Sequence, residues 1–263
     1  MTASASASAS ASPSRIALVT GGSRGLGRST ALALARQGVD LIVTFKSNEA
    51  QASAVVREIQ ALGRQARALA LDVADASSFG TFAAEVKATL KNTWGRERFD
   101  FLLNNAGSGL HAAFAETTEA EFDEQMNVHL KGTFFLTQKL LPLIEDGGRI
   151  VNTSTGLTRF SFPGSAAYAV MKGGVEVLTR YLAKELGPRR ISVNTIAPGA
   201  IETDFRGGSI RDDHKLNAQV AGLTALGRVG LPDDVGGAVA ALLAEGTGWV
   251  TGQRIEVSGG MLL

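Results

Sequence analysis

The chain of 263 residues carries 26 lysines and arginines, 25 aspartates and glutamates, a formal net charge of +1, and no cysteine. The balanced charge gives no reason to expect nucleic acid or an anionic membrane as partner, and the lack of cysteine excludes disulfides, thiolate metal sites and a cysteine nucleophile. Apolar residues make up 44 % and no apolar run approaches the roughly 20 residues of a membrane helix, which indicates a globular protein with a sizeable core.

The first 14 residues alternate alanine and serine and contain no large apolar face. We predict that residues 1–14 form a disordered tail. They lack the apolar stretch and the early basic residue of a signal peptide, and we expect a cytoplasmic protein. No linker or repeat divides residues 15–263, which we interpret as one domain.

Seven short apolar runs follow the tail, each about as long as a typical strand. They cover residues 15–20, 41–45, 67–71, 99–104, 149–153, 191–196 and 253–257. Between them lie segments of helical periodicity, which include residues 30–37, 52–62, 79–94 and 122–141. This alternation predicts an α/β fold: a doubly wound, seven-stranded parallel sheet of the Rossmann type with helices on both faces. Ligands of such sheets bind beyond the carboxyl ends of the strands.

The first of these ends carries a glycine-rich turn. Gly21, Gly25 and Gly27 follow the first predicted strand and precede a helical pattern. Glycines permit a tight turn and close approach of the backbone to a ligand, and the free N–H groups of the following helix attract an anion. We therefore predict a phosphate-binding site of a dinucleotide here.

The same turn also fits the G-x-S-x-G nucleophile elbow of hydrolases, with Ser23 as nucleophile. Its base would be His111, His129 or His214. In the hydrolase template the elbow follows an interior strand, whereas this one follows the first strand of the chain, which makes the hydrolase the weaker hypothesis. The three histidines are scattered without metalloprotease spacing, and we predict no metal site.

The end of the second strand decides which dinucleotide is expected. An NAD site needs an acid there for the ribose hydroxyls, but the chain has Thr44, Lys46 and Ser47. Lys46, together with Arg24 of the glycine turn, complements the charge of a 2′-phosphate. We predict NADP(H) in preference to NAD(H), with these residues in the cofactor site.

A tyrosine and a lysine stand one helical turn apart at Tyr168 and Lys172. Residues i and i+4 share a helix face, and a neighbouring cation lowers the pKa of a phenol. The pair is suited to exchange a proton with a carbonyl or alcohol. The other tyrosine, Tyr181, has Glu185 at this spacing and gains no such help.

Together these motifs resemble the short-chain dehydrogenase/reductase family, and within it the 3-oxoacyl-carrier-protein reductases. The family's motifs occur in order at residues 20–27, 72–73, 104–107, 168–172 and 198–203. The resemblance spans nearly all of residues 15–263 and implies an NADP(H)-dependent oxidoreductase acting on CH–OH or C=O groups. It implies cofactor contacts at Ser23, Leu26, Asp72, Val73, Asn104, Asn105, Ala106, Gly107, Tyr168, Lys172, Pro198, Gly199, Ile201 and Thr203.

The catalytic serine of the family stands 13 residues before the tyrosine, which is Thr155 in this chain. Ser154 is one residue away, and a slip of one residue at a strand end points the side chain to the other face. We favour Thr155 as the donor to the substrate oxygen, with Ser154 as the alternative.

A second departure places His129 where the family has the asparagine of a proton relay. A histidine can move protons near neutral pH, or it can merely pack in its helix. We leave both interpretations open.

The function that follows is interconversion of a ketone and a secondary alcohol, with Tyr168 as general acid and base. The alternative is a cofactor-binding sensor or scaffold without turnover, because the family's serine and asparagine are replaced by Thr155 and His129. We expect a small-molecule substrate, bound between residues 108–114, residues 157–164 and a lid at residues 205–231. A medium-sized ketone, a 3-oxoacyl thioester and a sugar-like carbonyl remain alternative substrate classes. The resemblance also implies a homotetramer built from the helices at residues 122–141 and 168–186 and from the last strand.

Overall fold

The computed structural model describes residues 14–263. The predicted tail lies outside the described residues except for Ser14, whose hydroxyl donates to Asp40 Oδ2 at 2.6 Å. Asp40 Oδ1 and Oδ2 also accept from the backbone N–H of Gln65 and the indole of Trp94. This buried carboxylate therefore ties the start of the described chain to the amino-terminal edge of the sheet.

The predicted parallel sheet is confirmed, with seven strands within residues 14–263 in the order β3-β2-β1-β4-β5-β6-β7. The strands are β1 (Ile16–Val19), β2 (Asp40–Phe45), β3 (Ala66–Ala70), β4 (Phe99–Asn104), β5 (Ile144–Thr153), β6 (Ser192–Pro198) and β7 (Arg254–Val257). Every neighbouring pair is parallel. The order turns back between β1 and β4, and in sheets of this kind a ligand binds at that switch point.

Helices cover both faces of the sheet. They are α1 (Gly25–Arg36), α2 (Glu49–Ala61), α3 (Phe79–Trp94), α4 (Glu119–Gln125), α5 (Gly132–Leu140), α6 (Ala166–Glu185), α7 (Ser209–Asp212), α8 (His214–Gly222) and α9 (Pro232–Leu242). Side chains alternate along β1: Ala17 and Val19 belong to one buried cluster, and Ile16 and Leu18 belong to the other. Because successive strand residues point to opposite faces, fully apolar strands are what a sheet covered on both sides requires.

The predicted helix at residues 122–141 is interrupted. Between α4 and α5 the residues Met126–Lys131 form a π-helix, in which each turn holds an extra residue. Immediately after it, the backbone of Gly132 passes so close to the carbonyl of Val73 that a Cβ would collide with it. The insertion changes the direction of the side chains at this point and places His129 in the interior.

Within residues 14–263, no helix combines the length and the apolar composition that crossing a bilayer requires.

Candidate active site

Most of the predicted site residues follow six strand ends at the carboxyl edge of the sheet, among them Asp72 and Val73 after β3. The glycine turn follows β1, Lys46 follows β2, and residues 105–107 follow β4. Ser154 and Thr155 follow β5, and residues 199–203 follow β6. Parallel strands bring these distant segments to one edge, which is the edge expected to bind a ligand.

The glycine turn is held in a conformation that other residues adopt with difficulty. Gly21 has φ +63° and Gly25 has φ +54°. A Cβ on Gly27 would collide with the carbonyl oxygen of Gly21. The turn is braced by Asn105, whose side-chain amide donates to the carbonyls of Thr20 at 2.9 Å and Gly21 at 3.3 Å. The turn therefore requires glycine, because its backbone segments lie too close together to leave space for a side chain.

The amino terminus of α1 offers free N–H groups to an anion. Its first residues, Gly25, Leu26 and Gly27, precede the first backbone hydrogen bond of the helix, from Arg28 N–H to Arg24 O at 3.1 Å. Arg24 at the N-cap supplies no side-chain cap, and the first turn carries no acidic residue. Unsatisfied N–H groups and the positive end of the helix dipole fit a phosphate group. The residues present therefore fit the diphosphate of a dinucleotide.

Cationic side chains flank this cradle, as the sequence predicts for NADP(H). The Lys46 ammonium lies 2.8 Å from Asp72 Oδ2, and the Arg24 guanidinium lies 3.7 Å from Asp204 Oδ2. Both cations are largely exposed. Lys46 is thus anchored beside the second strand end, at the place where a 2′-phosphate would need a positive charge.

Several predicted cofactor residues brace the cradle with their side chains. The Thr44 hydroxyl accepts from the N–H of Gly21 at 3.2 Å. The N–H groups of Asn105 and Ala106 donate to the Thr20 hydroxyl at 2.9 and 3.0 Å. Asn104 is buried and donates to Asn152 Oδ1 at 2.8 Å, away from the sheet edge. These side chains fix the shape of the turn, which leaves backbone atoms to face a ligand.

The segment after β6 closes the cradle from the opposite side. Gly199 lies so near Ser258 that a Cβ would be 2.9 Å from its Cα. Ile201 forms a bridge with Gly230, and the methyl group of Thr203 lies within van der Waals distance of a Cβ built on Gly25, at 3.7 Å. Of the four residues that the resemblance implies here, Thr203 adjoins the glycine turn, whereas Gly199 and Ile201 contact Ser258 and Gly230, and the cofactor contacts of Pro198, Gly199, Ile201 and Thr203 stay predictions.

Tyr168 and Lys172 lie on the first turns of α6, and both are buried. The Lys172 ammonium is 5.7 Å from the centroid of the Tyr168 ring and donates to the carbonyl of Thr153 at 2.7 Å. Burial lowers the pKa of Lys172 to about 7. Its ammonium therefore loses its proton far more easily than an exposed lysine does.

The expected acidification of Tyr168 by Lys172 is wrong for the structure described here. Burial raises the pKa of Tyr168 to about 12, against the opposing effects of the Arg206 charge and of a hydrogen bond with Thr155. Removing the phenol from water disfavours its anion, and this effect on the pKa outweighs the opposing charge of Arg206. Tyr168 is consequently protonated throughout the physiological pH range.

The two candidate hydroxyls point in different directions. The Thr155 side chain lies close enough to Tyr168 to lower its pKa, and its hydroxyl accepts from the N–H of Leu157 at 3.3 Å. The Ser154 hydroxyl is turned into the protein and donates to Glu176 Oε1 at 2.6 Å. Glu176 also accepts from Arg254 at 2.7 Å. Thr155 is therefore the hydroxyl that lies beside the phenol.

His129 lies against Tyr168 at the interruption of the helix. The two ring centroids are 5.0 Å apart with the rings nearly perpendicular. His129 Nε2 is 2.7 Å from the carbonyl of Ser108, and Nδ1 is buried without a hydrogen-bond partner within residues 14–263. Burial and the Lys172 charge lower the pKa of His129 to about 2. The imidazole is therefore neutral near pH 7, with Nε2 as donor and Nδ1 as an unused acceptor.

This burial predicts that His129 makes the protein sensitive to acid. Between pH 6.5 and about 2 the unfolded chain binds a proton that the folded chain excludes, so stability is complete above pH 6.5 and falls as the pH drops. At about pH 4.5 we expect a loss of ~2–3 kcal/mol. His129→Asn should flatten this dependence, which urea unfolding between pH 7.5 and 4.5 measures.

The control for this experiment is His214→Asn, which removes an exposed imidazole at the start of α8. It should keep the slope of the parent protein. Equal slopes for the parent and His129→Asn would contradict the burial of a neutral imidazole at this position.

The strand position used against the hydrolase hypothesis is wrong, but the structure gives Ser23 no histidine base among the described residues. The glycine turn does follow an interior strand, because β1 lies between β2 and β4. However, within residues 14–263 no histidine hydrogen-bonds Ser23, and His129 is engaged with Ser108. The same part of the chain contains no group of three or more potential metal ligands.

The predicted lid at residues 205–231 includes Arg206 and Phe205, but nothing in the sequence indicates that these two side chains reach the phenol of Tyr168. The Arg206 guanidinium carbon lies 5.8 Å from the centroid of the Tyr168 ring, and the Phe205 ring lies 5.9 Å from it. The only sequence signal is Gly207-Gly208 immediately after Arg206, which marks an unusual backbone but does not indicate where the arginine points.

Two of the predicted substrate walls enclose an open pocket of about 310 Å³. Its lining comes from the segments at residues 113–114 and 157–169 and is mainly apolar, with Leu157, Phe162 and Ala169 among its residues. Ser165 lies on the side of the pocket nearest Arg206, to which its hydroxyl is hydrogen-bonded. The pocket suits the apolar part of a small molecule.

Comparison with known proteins places the chain among reductases. The family described as enoyl-(acyl carrier protein) reductase matches residues 21–262. A curated relative, the 3-oxoacyl-[acyl-carrier-protein] reductase of Staphylococcus aureus, is 38 % identical over 95 % of this chain and 99 % of its own length.

Two solved structures are similar over nearly the whole fold. The promiscuous reductase LugOII, which catalyses keto-reduction at C1 during lugdunomycin biosynthesis, has a TM-score of 0.90 and 37 % identity, covering 95 % of this chain and 98 % of that one. The angucycline C-6 ketoreductase LanV with bound NADP has a TM-score of 0.89 and 33 % identity, covering 94 % and 95 %.

Proposed function

The chain belongs to the short-chain dehydrogenase/reductase family, and from this premise we propose that it reduces a ketone to a secondary alcohol with NADPH, using Tyr168 as the general acid. An NADP(H)-dependent oxidoreductase acting on CH–OH or C=O groups is what its ketoreductase relatives indicate. The observation that carries the assignment of the acid is the placement of the buried phenol of Tyr168 next to Lys172, whose ammonium is 5.7 Å from its ring, and near Thr155.

The state of the phenol supports reduction as the favoured direction. With its pKa raised to about 12 by burial, Tyr168 holds its proton at neutral pH and can give it to the oxygen of a carbonyl that is becoming an alkoxide. Thr155 donates a second hydrogen bond to the same oxygen, and a donor aimed at developing charge stabilises the transition state. Alcohol oxidation requires the phenolate and becomes faster at alkaline pH.

The cradle at the end of β1 holds the cofactor, which supplies the hydride when bound. The N–H groups at the start of α1 bind its phosphates, and Lys46 with Arg24 complements the 2′-phosphate. Lys172 binds at the ribose next to the nicotinamide, as family resemblance implies. His129 is neutral near pH 7 and packs against the phenol with Nδ1 as an unused acceptor, so a part in moving the proton would not require it to become charged.

The experiment that tests this function measures NADPH oxidation at 340 nm with a panel of aryl ketones, diketones, quinones and acyl thioesters. Turnover with any of them that requires both substrate and enzyme supports the proposal. The alternative, a sensor or scaffold, predicts that NADPH binds in a calorimetric titration but is not consumed with any member of the panel.

Replacing Lys46 by alanine tests the cofactor assignment. Loss of one charge-assisted contact to a phosphate is worth ~1.5–3 kcal/mol, so the KM for NADPH should rise about 10- to 100-fold. The KM for NADH should change little, because NADH lacks the 2′-phosphate. Steady-state kinetics with both cofactors gives the two ratios.

The matched control is Lys87→Ala, which removes one exposed charge from α3. It should leave both KM values as they are. An equal rise of KM for NADPH and NADH in Lys46→Ala would remove Lys46 from the 2′-phosphate site.

We also propose the homotetramer that family resemblance implies. Exposed apolar side chains lie on the helices concerned: Phe134 and Phe135 on α5, and Val170 and Tyr181 on α6. At the end of the chain Met261 is buried within its own subunit, whereas Leu263 is 95 % exposed. Light scattering of the purified protein measures the mass; a monomeric mass contradicts the proposal.

The lid at residues 205–231 and the cytoplasmic location stay predictions of the sequence.

A further inference from the structure

Arg206 reaches the active site from the segment after β6 at the cost of an unusual backbone. Its φ is 53°, in the left-handed region, and Gly207 and Gly208 continue with φ of 70° and 78°. A residue other than glycine adopts this conformation only where the surrounding structure imposes it, and such positions are concentrated at functional sites. The three residues together turn the arginine side chain towards Tyr168, whose ring centroid is 5.8 Å from the guanidinium carbon.

The Arg206 side chain fills a space that exists because position 109 is a glycine. A Cβ on Gly109 would collide with Arg206 Cγ and would lie 3.1 Å from the ring of Phe205. Arg206 Nη2 donates to the carbonyl of Leu110 at 2.8 Å and to the hydroxyl of Ser165 at 3.2 Å. The side chain is thus fixed from two segments, which gives its remaining donors a defined position.

Those remaining donors lack partners. Both hydrogen bonds of the guanidinium within residues 14–263 are made by Nη2, and Nε is buried without any partner in that part of the chain. The one titratable group of the described residues that raises the pKa of Arg206 is the phenol of Tyr168, and this phenol is protonated and therefore neutral near pH 7. The two edges of a guanidinium that bind a carboxylate with two parallel hydrogen bonds both include Nη2, whose N–H groups are used here, so a ligand anion would meet the positive charge and one unused donor. Buried donors that have no protein acceptor point to an acceptor on a ligand.

Arg206 also adjoins the space in which the rest of a substrate would lie. Ser165, which accepts from Nη2, lines the open apolar pocket together with Leu157 and Phe162. On its other side Arg206 faces the ring of Tyr168. Arg206 therefore lies between Tyr168 and this pocket. A molecule whose carbonyl reaches Tyr168 and whose apolar body fills the pocket would run alongside the guanidinium.

We propose that Arg206 binds an anionic oxygen of the substrate, and that the preferred substrates are apolar ketones bearing a carboxylate close to the reacting carbonyl. The carboxylate accepts one charge-assisted hydrogen bond from an unused N–H group of Arg206, the ketone oxygen accepts from Tyr168 and Thr155, and the apolar body occupies the pocket. This inference rests on the proposed carbonyl reduction and names the substrate class for it. Arg206 is then a specificity-determining residue.

The test compares keto acids with their methyl esters, which have the same carbon skeleton and no charge. Phenylglyoxylate and 3-benzoylpropanoate, each beside its ester, vary the distance from carbonyl to carboxylate. For the better acid we expect kcat/KM at least about tenfold above that of its ester, the factor of a charge-assisted hydrogen bond. Arg206→Gln should reduce this ratio about tenfold or more, and Arg206→Lys should retain part of it, because an ammonium keeps the charge but not the planar group that Leu110 and Ser165 hold in place.

The matched control is Lys215→Gln, which removes one positive charge from an exposed side chain of α8 in the same segment. It should leave the ratio of acid to ester as it is in the parent protein. A ratio that falls equally in both variants would show a diffuse charge effect and would overturn the role of Arg206.

A binding measurement separates this inference from the proposed function. Calorimetric titration of 3-phenylpropanoate into the full chain should give a Kd at least about tenfold lower for the parent than for Arg206→Gln. If no ketone is reduced while this difference in Kd is found, carbonyl reduction fails and the anion site stands. If esters are reduced as fast as their acids, or Arg206→Gln keeps the preference or the affinity, the anion site is wrong and reduction stands.

Discussion

Tyr168→Phe is expected to lower kcat for carbonyl reduction about a thousandfold, within the range that a positioned general acid contributes. The phenol is the group that holds a proton beside Thr155, and its raised pKa of about 12 keeps that proton in place at neutral pH. Phenylalanine fills the same space in α6 and removes the hydroxyl alone. Single-turnover reduction measured with saturating NADPH isolates the chemical step from cofactor binding.

Tyr181→Phe provides the matched control, since the chain has two tyrosines and both lie on α6. Tyr181 is 64 % exposed, and its loss of a hydroxyl should leave the rate of reduction unchanged. In the direction of alcohol oxidation the parent rate should increase with pH, because a higher pH populates the phenolate, and the rate of Tyr168→Phe should not. A Tyr168→Phe enzyme within tenfold of the parent would refute the proposed mechanism.

Thr155→Val is expected to lower kcat by about a hundredfold, the loss found when one donor to a developing oxyanion is removed. Valine has nearly the shape of threonine, so the change removes a hydroxyl from the side of Tyr168 without opening a cavity. Thr155→Ser should restore most of the activity, because serine supplies the same donor. Steady-state kinetics on all three proteins measures the effect.

Ser154→Ala separates the two neighbouring hydroxyls. Ser154 donates to Glu176, and its loss leaves a partly buried carboxylate with one hydrogen bond fewer. We therefore expect a loss of stability of ~1–3 kcal/mol in urea unfolding, with much less effect on kcat than Thr155→Val has. If Ser154→Ala abolished turnover and Thr155→Val did not, the substrate oxygen would lie on the other side of the strand end.

Much of the fold follows from local patterns. The predicted strand at residues 99–104 coincides with β4 (Phe99–Asn104), and the predicted run at residues 15–20 contains β1 (Ile16–Val19). Short apolar runs survive as strands because both faces of this sheet are covered, so every position along a strand is selected for burial. The glycine turn is also predictable from the sequence, because the backbone at Gly21 and Gly27 leaves no space for a larger side chain.

The interruption at Met126–Lys131 was not predictable from periodicity. A π-turn adds one residue to a helix that is otherwise continuous, and apolar spacing over residues 122–141 is compatible with an unbroken α-helix. The insertion ends where the backbone of Gly132 passes close to the carbonyl of Val73, 59 positions away in the sequence, and local periodicity carries no sign of that contact.

The sequence by itself determined the type of fold, the edge at which a ligand binds, the glycine cradle, and the pairing of Tyr168 with Lys172 one turn apart. Those features depend on residues that are near one another in the chain. The tertiary structure alone decided that Tyr168 is more basic than a free tyrosine, that Thr155 faces it while Ser154 turns inward, and that Arg206 joins the site. The pKa of a group depends on water excluded by every segment packed around it, and these segments come from distant parts of the chain.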